Sequence, residues 1–500
     1  MAGCFASGAV VGGIAVAATQ PPRALPATET ITTQVNETKP IVTIGDINAL
    51  RAALDRDGFI VQEGEFSHQD AIALLNAGVT KDAAGANVGA PYLAYKLPPA
   101  PDQTAPNPLA DDRGWSYAYR LRPDEALILV GRTPPEVAYF SYQSYLVLRF
   151  FPDRKQYGRL YDSIGDSINL LTINSAGTPG GSSGNPFDQP FIIISTADRG
   201  TDSKVRAAAQ SSGYSSSIMN TDVIPQSMVK MGLEPNADLF HFSHRVAVPK
   251  EKGRLDAYLE KPDCVVLRVT PKTRVELDPY PAPAARIRGT GKTEIDLLPA
   301  VEDLRKAILA KYSNLAATEL GTYVWSHDGY ECIQSRIDTT GDTRDAAYFS
   351  TLDALAMNQP DDPRRVQAST LPDDPNEFFI IYGVDHEVTG KATYCNCNVI
   401  GLEYFNGVAN VFDSEWKGSA EDYVPEHPEA KNLYAWKVAR RSNGDPHCLE
   451  VPTGPSHYGI GLDERIWLFF RVYLERATRV GPAWNELVLD RVMKFSPNDS

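Results

Sequence analysis

Asp124-Glu125-Ala126-Leu127-Ile128-Leu129-Val130-Gly131, running on to Tyr139, returns later in the chain as Asn376-Glu377-Phe378-Phe379-Ile380-Ile381-Tyr382-Gly383, running on to Tyr394. Each copy is an acidic turn, an unbroken apolar strand, a glycine bend and an aromatic-rich strand, the pattern of a buried β-hairpin. The bend is three residues longer in the second copy: 11 positions separate Gly383 from Tyr394, against 8 between Gly131 and Tyr139. The added length falls in Val384-Asp385-His386-Glu387-Val388-Thr389-Gly390-Lys391, the densest run of reactive side chains in the chain.

Five hundred residues exceed what one hydrophobic core usually serves, which agrees with a doubled arrangement. Hydrophobic residues at 43% and charged residues at 22% describe a folded chain; 37 prolines, 37 glycines and 23 tyrosines favour turns and strands. A net charge of -15 argues against a nucleic-acid partner, since phosphate binding needs clustered Lys and Arg.

Working outward from the repeated stretch, strands are expected at 117–121, 126–130, 139–150, 191–194, 241–248 and 264–269, then around Tyr323, 378–384, 392–400, 434–438 and 466–474. Helices are expected after Asp46, from a capping box at Ser67-His68-Gln69-Asp70, over 204–210 and 226–231, and over 301–312. The proline-rich 278–290 stretch reads as a linker. The fold class is therefore α+β, mainly β: two related strand-rich units, each preceded by helix, packed around a pseudo-twofold cleft. The boundaries are 1–40 for a leader or unstructured N-terminus, 41–110 for a helical preface, 111–285 for the first unit and 286–500 for the second. The small-residue run Ala9–Ala18 suggests an exported or organellar protein, with a cytoplasmic one as the alternative. No other stretch reaches the length of a membrane-spanning helix, so no integral membrane contact is expected. The cysteines leave both a disulfide among Cys332, Cys395 or Cys397, and Cys448 and a set of free thiols open.

Candidate chemistry concentrates in the longer bend. Asp385 and His386 follow the apolar strand directly, with Lys391 and Tyr394 shortly after. A histidine oriented by a carboxylate moves protons near neutral pH, and a nearby Lys or Tyr steadies developing negative charge. These four residues form the expected catalytic set. Arg132 in the first bend, Arg344-Asp345 ahead of Tyr348, and His244 in His241-Phe-Ser-His244-Arg245 are the expected substrate contacts. On a strand His241 and His244 point to opposite faces, so they make no metal site. Gly291-Lys292-Thr293 has Arg286 where a phosphate loop needs glycine, and Cys395-Asn396-Cys397 has no second pair at zinc-finger spacing. Neither metal nor cofactor is expected.

The strand Tyr139-Phe-Ser-Tyr-Gln-Ser-Tyr-Leu, the run Gly165-Asp-Ser-Ile-Asn169 and the strand Phe470-Arg-Val-Tyr-Leu474 resemble bacterial two-domain β-sandwich proteins of unknown function. That resemblance implies a fold class and carries no site residue. The functional expectation is an enzyme of hydrolase or lyase type acting on a small, anionic molecule, with His386 as acid or base. A carbohydrate- or ligand-binding β protein and a subunit of a larger assembly are the alternatives; the sequence leaves oligomeric state open.

Overall fold

A computed structural model describes residues 45–325, 327–351, 369–454 and 456–498, so the expected leader lies outside the described residues. Strands β1 (Phe59–Gln69), β2 (Tyr92–Lys96), β3 (Ala126–Arg132), β4 (Val137–Phe151), β5 (Gln156–Ser163), β6 (Ile168–Asn169), β7 (Pro190–Thr196), β8 (Met219–Val223), β9 (Leu239–Pro249) and β10 (Cys264–Pro271) join one sheet in the order β5-β4-β9-β2-β1-β10-β3-β7-β8, with β6 beside β4. The long strand β1 is the hinge: Phe59–Gly64 pair with β10, and Glu65–Gln69 pair with β2. Leu127, Leu129 and Val266 from one limb share a core with Tyr95, Tyr142 and Phe242 from the other, so the sheet curls onto itself.

Strands of the second half are β11 (Ala316–Leu320), β12 (Tyr323–Trp325), β13 (Ala346–Ser350), β14 (Phe378–Val384), β15 (Tyr394–Gly401), β16 (Gly407–Phe412), β17 (Leu433–Ala439), β18 (Cys448–Glu450), β19 (Ile466–Tyr473) and β20 (Arg491–Ser496). They form two sheets, β11-β20-β14-β17-β18 and β12-β13-β19-β15-β16. The order β1-β10-β3-β7-β8 matches β11-β20-β14-β17-β18 pair for pair: three antiparallel ladders followed by one parallel ladder. Likewise β1-β2-β9-β4-β5 and β12-β13-β19-β15-β16 are antiparallel throughout.

Helix α1 (Ile47–Arg56), capped by the Asp46 carboxylate, precedes the first half, and its buried Leu50, Ala53 and Leu54 pack on β3 and β7 residues. Between them come α2 (Ala71–Asn76), α3 (Arg199–Ser211) and α4 (Lys252–Glu260). Helix α5 (Leu298–Lys311) precedes the second half and buries Val301, Leu304 and Ile308 against β14 and β20 residues. The fold is thus α+β and mainly β, with two strand-rich halves of matching strand order, each preceded by a helix.

Two expectations about helices are corrected. Ser67 caps nothing, because Ser67–Gln69 are ladder residues of β1; Asp70 caps α2 through Ile72 and Ala73 N–H. Residues 226–231 form a turn and a bend with no helix. Cys264, Cys332, Cys395, Cys397 and Cys448 are free thiols. Among the described residues no helix is long and apolar enough to cross a membrane.

Candidate functional site

The longer bend, 385–391, buries Asp385, His386 and Lys391 in an ionic knot while residues 387–389 stay half-buried and Gly390 is exposed. His386 is only 1% exposed; its Nδ1 lies 2.9 Å from both Glu294 carboxylate oxygens, and its Nε2 lies 3.5 Å from Asp490 Oδ2. Burial alone would lower its pKa, but the Glu294 and Asp490 carboxylates override this and push it up to about 10. The ring is therefore an imidazolium at neutral pH. Glu294 also accepts hydrogen bonds from Thr389 Oγ1 (2.5 Å) and Val488 N (3.0 Å), and Tyr434 Oη donates to Asp490 at 2.5 Å. A Cβ on Gly383 would stand 2.6 Å from Asp490 Oδ1, so only glycine lets the strand run this close to the knot.

Asp385 does not orient His386. Its Oδ1 caps the bend by accepting from Glu387 N (3.2 Å) and Val388 N (3.4 Å), and burial raises its pKa. Its carboxylate groups instead with Glu387 and Asp413, all three offering oxygens within 4.8 Å of one another. Asp413, pushed up to about 7 by burial, lies on another element, so adjacency in the sequence gives no sign of the grouping. That trio has the chemistry to hold a hard cation. Lys391 is buried and bound to Glu475 (3.0 Å), Glu486 (2.5 Å) and Thr290 Oγ1 (3.1 Å).

Tyr394 leaves the bend altogether: its ring stacks on Tyr473 at 4.6 Å and meets Tyr139 at 5.8 Å. Tyr139 and Tyr394 are the matching tyrosines of the repeated stretch, so the two halves touch at equivalent points. Asp345 is fully buried there and accepts from Tyr139 Oη (2.8 Å), Asn169 Nδ2 (2.9 Å) and Ser167 Oγ. Arg344 is spent on Asp166 (2.7 Å) and Asp328 (2.5 Å). Arg132 stays half-exposed, donating to the Asp188 carbonyl at 2.7 Å. His244 is fully buried, stacked on Tyr142 at 4.2 Å, and burial lowers its pKa to about 3.

Next to the Tyr139–Tyr394–Tyr473 contact lies a cavity of ≈ 40 Å³, measured as space open to the centre of a water molecule. Its walls are Trp325, Tyr348, Trp467, Phe469 and Tyr473, and its polar groups include Arg245 and Arg471. Arg245 on β9 sits opposite Ser141 on β4 and Tyr92 on β2; Arg471 on β19 sits opposite Asn396 on β15 and Tyr348 on β13. The two arginines thus occupy matching positions in matching sheets. Each reaches into the other half: Arg245 Nη2 donates to the Gly341 carbonyl at 2.5 Å, and Arg471 Nη2 donates to the Gly85 carbonyl at 2.9 Å.

Those carbonyls belong to paired rim turns, Asp82-Ala-Ala-Gly85 and Asp338-Thr-Thr-Gly341. In both turns the aspartate accepts from the N–H two residues on, at 3.0 Å for Ala84 and 2.9 Å for Thr340. In both the last two residues have positive φ, 52° and 64° in one, 54° and 86° in the other, which glycine adopts without strain. Arg159 spans the pair, 2.5 Å from Asp82 and 2.7 Å from Asp338.

The electrostatics of this cavity are lopsided. Arg245 is 5% exposed and Arg471 6%. Among the described residues neither has a carboxylate within ion-pair distance. Arg245 meets the carbonyls of Gly341 and Asp342 and the faces of Tyr92 and Tyr145. Arg471 meets Asn398 Oδ1, the Gly85 carbonyl and the face of Phe469. Among the described residues, Arg245 Nε and Trp467 Nε1 are buried donors without a partner.

No family model matches the chain, and no curated protein matches it. Solved structures that align with this chain over most of their length include the following two. A structural-genomics protein of Vibrio parahaemolyticus has 10% identity and a TM-score of 0.36, covering 90% of this chain and 96% of that one. A putative uncharacterized protein of Burkholderia cenocepacia has 14% identity and a TM-score of 0.35, covering 89% and 86%.

Proposed function

We propose that the chain is a ligand-binding protein whose ligand, a small anion, sits in the cavity between the two halves against Arg245 and Arg471. One observation carries this reading: two buried guanidinium groups line one cavity and, among the described residues, neither has a carboxylate within ion-pair distance. An uncompensated buried charge costs several kcal/mol, and an anion between them would remove that cost. The aromatic walls keep water out and strengthen such a contact.

We further infer that the halves descend from one duplicated unit. The matched strand orders, the matched arginines and the reciprocal Arg–carbonyl hydrogen bonds support this. A site on the junction of two copies follows naturally, because each copy supplies one arginine and one rim turn.

Acid/base catalysis by Asp385, His386, Lys391 and Tyr394 is supported less well. It would need His386 to release a proton held to about pH 10 and to meet a substrate from a buried position.

The test is thermal unfolding of the full chain in sulfate and in chloride at equal ionic strength. Sulfate should stabilise the wild type, by roughly 2.7 kcal/mol at a hundredfold excess over Kd, and should lose this advantage in an Arg245→Met/Arg471→Met double variant. Equal curves for wild type in a panel of sulfate, phosphate, malonate, acetate and chloride would overturn the reading.

A further inference from the structure

The charges around the cavity specify more than "an anion". Arg245 and Arg471 bring two positive charges, and among the described residues the one acidic residue in the lining is Asp342. Its carboxylate is already committed away from them, accepting from Ser163 N and Oγ (both 2.7 Å), Thr339 Oγ1 (2.9 Å) and Gly329 N (3.1 Å). Arg245 touches Asp342 through its backbone carbonyl only. The neighbouring acids are committed as well. Asp82 and Asp338 are held by Arg159, and Asp345 by Tyr139, Ser167 and Asn169. A singly charged ligand would leave one guanidinium uncompensated; a doubly charged one balances the site.

Size and donors narrow the class further. Space of ≈ 40 Å³ holds about three water-sized positions, so the bound portion is compact. Arg245 Nε and Trp467 Nε1 are N–H groups of lining residues that have no partner among the described residues, and a doubly charged oxyanion or dicarboxylate offers enough acceptor oxygens to face two guanidinium groups at once. We infer that the ligand is a compact dianion, a tetrahedral oxyanion or a short dicarboxylate, gripped between Arg245 of the first half and Arg471 of the second. This rests on reading the cavity as an anion site and adds the charge of its occupant.

Isothermal titration of the full chain at pH 7.5 and constant ionic strength separates the two claims. The probes are malonate, oxalate, sulfate and phosphate against acetate and formate. The dianions should bind at least ~10-fold more tightly than the monoanions, the scale of one added charge-assisted hydrogen bond. The preference among dianions tells a tetrahedral oxyanion from a dicarboxylate. Arg471→Met and Arg245→Met should each reduce the malonate-to-acetate ratio to about one; should either variant fail to fold, the wild-type ratio alone decides. Acetate binding as tightly as malonate, sulfate and phosphate would overturn the dianion assignment and leave the anion site standing. Binding of none of the six would overturn the anion site itself.

Discussion

The two bends of the repeated stretch start from the same strand grammar and place their charged side chains in different environments. In the shorter one, after Gly131, residues 133–135 are buried but Arg132 stays half-exposed, 3.6 Å from Asp263. The longer one, after Gly383, folds inward and closes an imidazolium between Glu294 and Asp490. The reactive side chains of the longer bend pair with Glu294, Glu475, Glu486 and Asp490, whereas Arg245 on β9 and Arg471 on β19 have, among the described residues, no carboxylate within ion-pair distance. The same contrast runs through a second matched pair. Arg268 is fully buried 3.7 Å from Glu125, while Lys494, at the corresponding place on β20, meets Glu377 at 3.3 Å with both about a fifth exposed.

The sharpest way to break the comparison is to truncate both bends. His386→Ala leaves two buried carboxylates facing each other and should cost about 3–5 kcal/mol in urea unfolding, whereas Arg132→Ala should stay within about 0.5 kcal/mol. Equal losses would remove the distinction. The same interaction is readable by pH. His386 has a folded-state pKa raised to about 10 from 6.5, so its stabilisation is full below pH 6.5 and is lost as pH rises through about 10. Glu294 is shifted the other way, its pKa lowered by His386, so its contribution fades as pH falls. Unfolding free energy followed from pH 6.5 to 10 should therefore decline in the wild type, and that decline should be much reduced in His386→Ala. Smaller effects separate the ion pairs. Arg268→Met strands buried Glu125 and should cost about 2–3 kcal/mol, while Lys494→Met should cost no more than about 1 kcal/mol.

Much of this was legible in the sequence. The apolar runs at 126–130 and 378–384 became β3 and β14, and the Asp46 cap and the 301–312 periodicity became α1 and α5, because local burial patterns decide such elements. The site was harder to read. Asp385 and His386 looked like partners from adjacency, yet His386 took its carboxylates from residues 294 and 490, a pairing only tertiary structure supplies. The rim turns are four-residue segments with no catalytic signature. One signal was present for half of the pair: Arg471 stands alone as a charge within the apolar, buried strand Ile466–Tyr473, and a lone buried charge needs a partner, whereas Arg245 follows His241, Ser243 and His244 and is masked by that polar run.

The most direct test is a crystal structure of the full chain grown with selenate, located by its anomalous signal. The account predicts a selenium peak in the cavity with oxygens in contact with both the Arg245 and Arg471 guanidinium groups. A cavity holding only water, or closed by a carboxylate of the protein itself on either arginine, would contradict it.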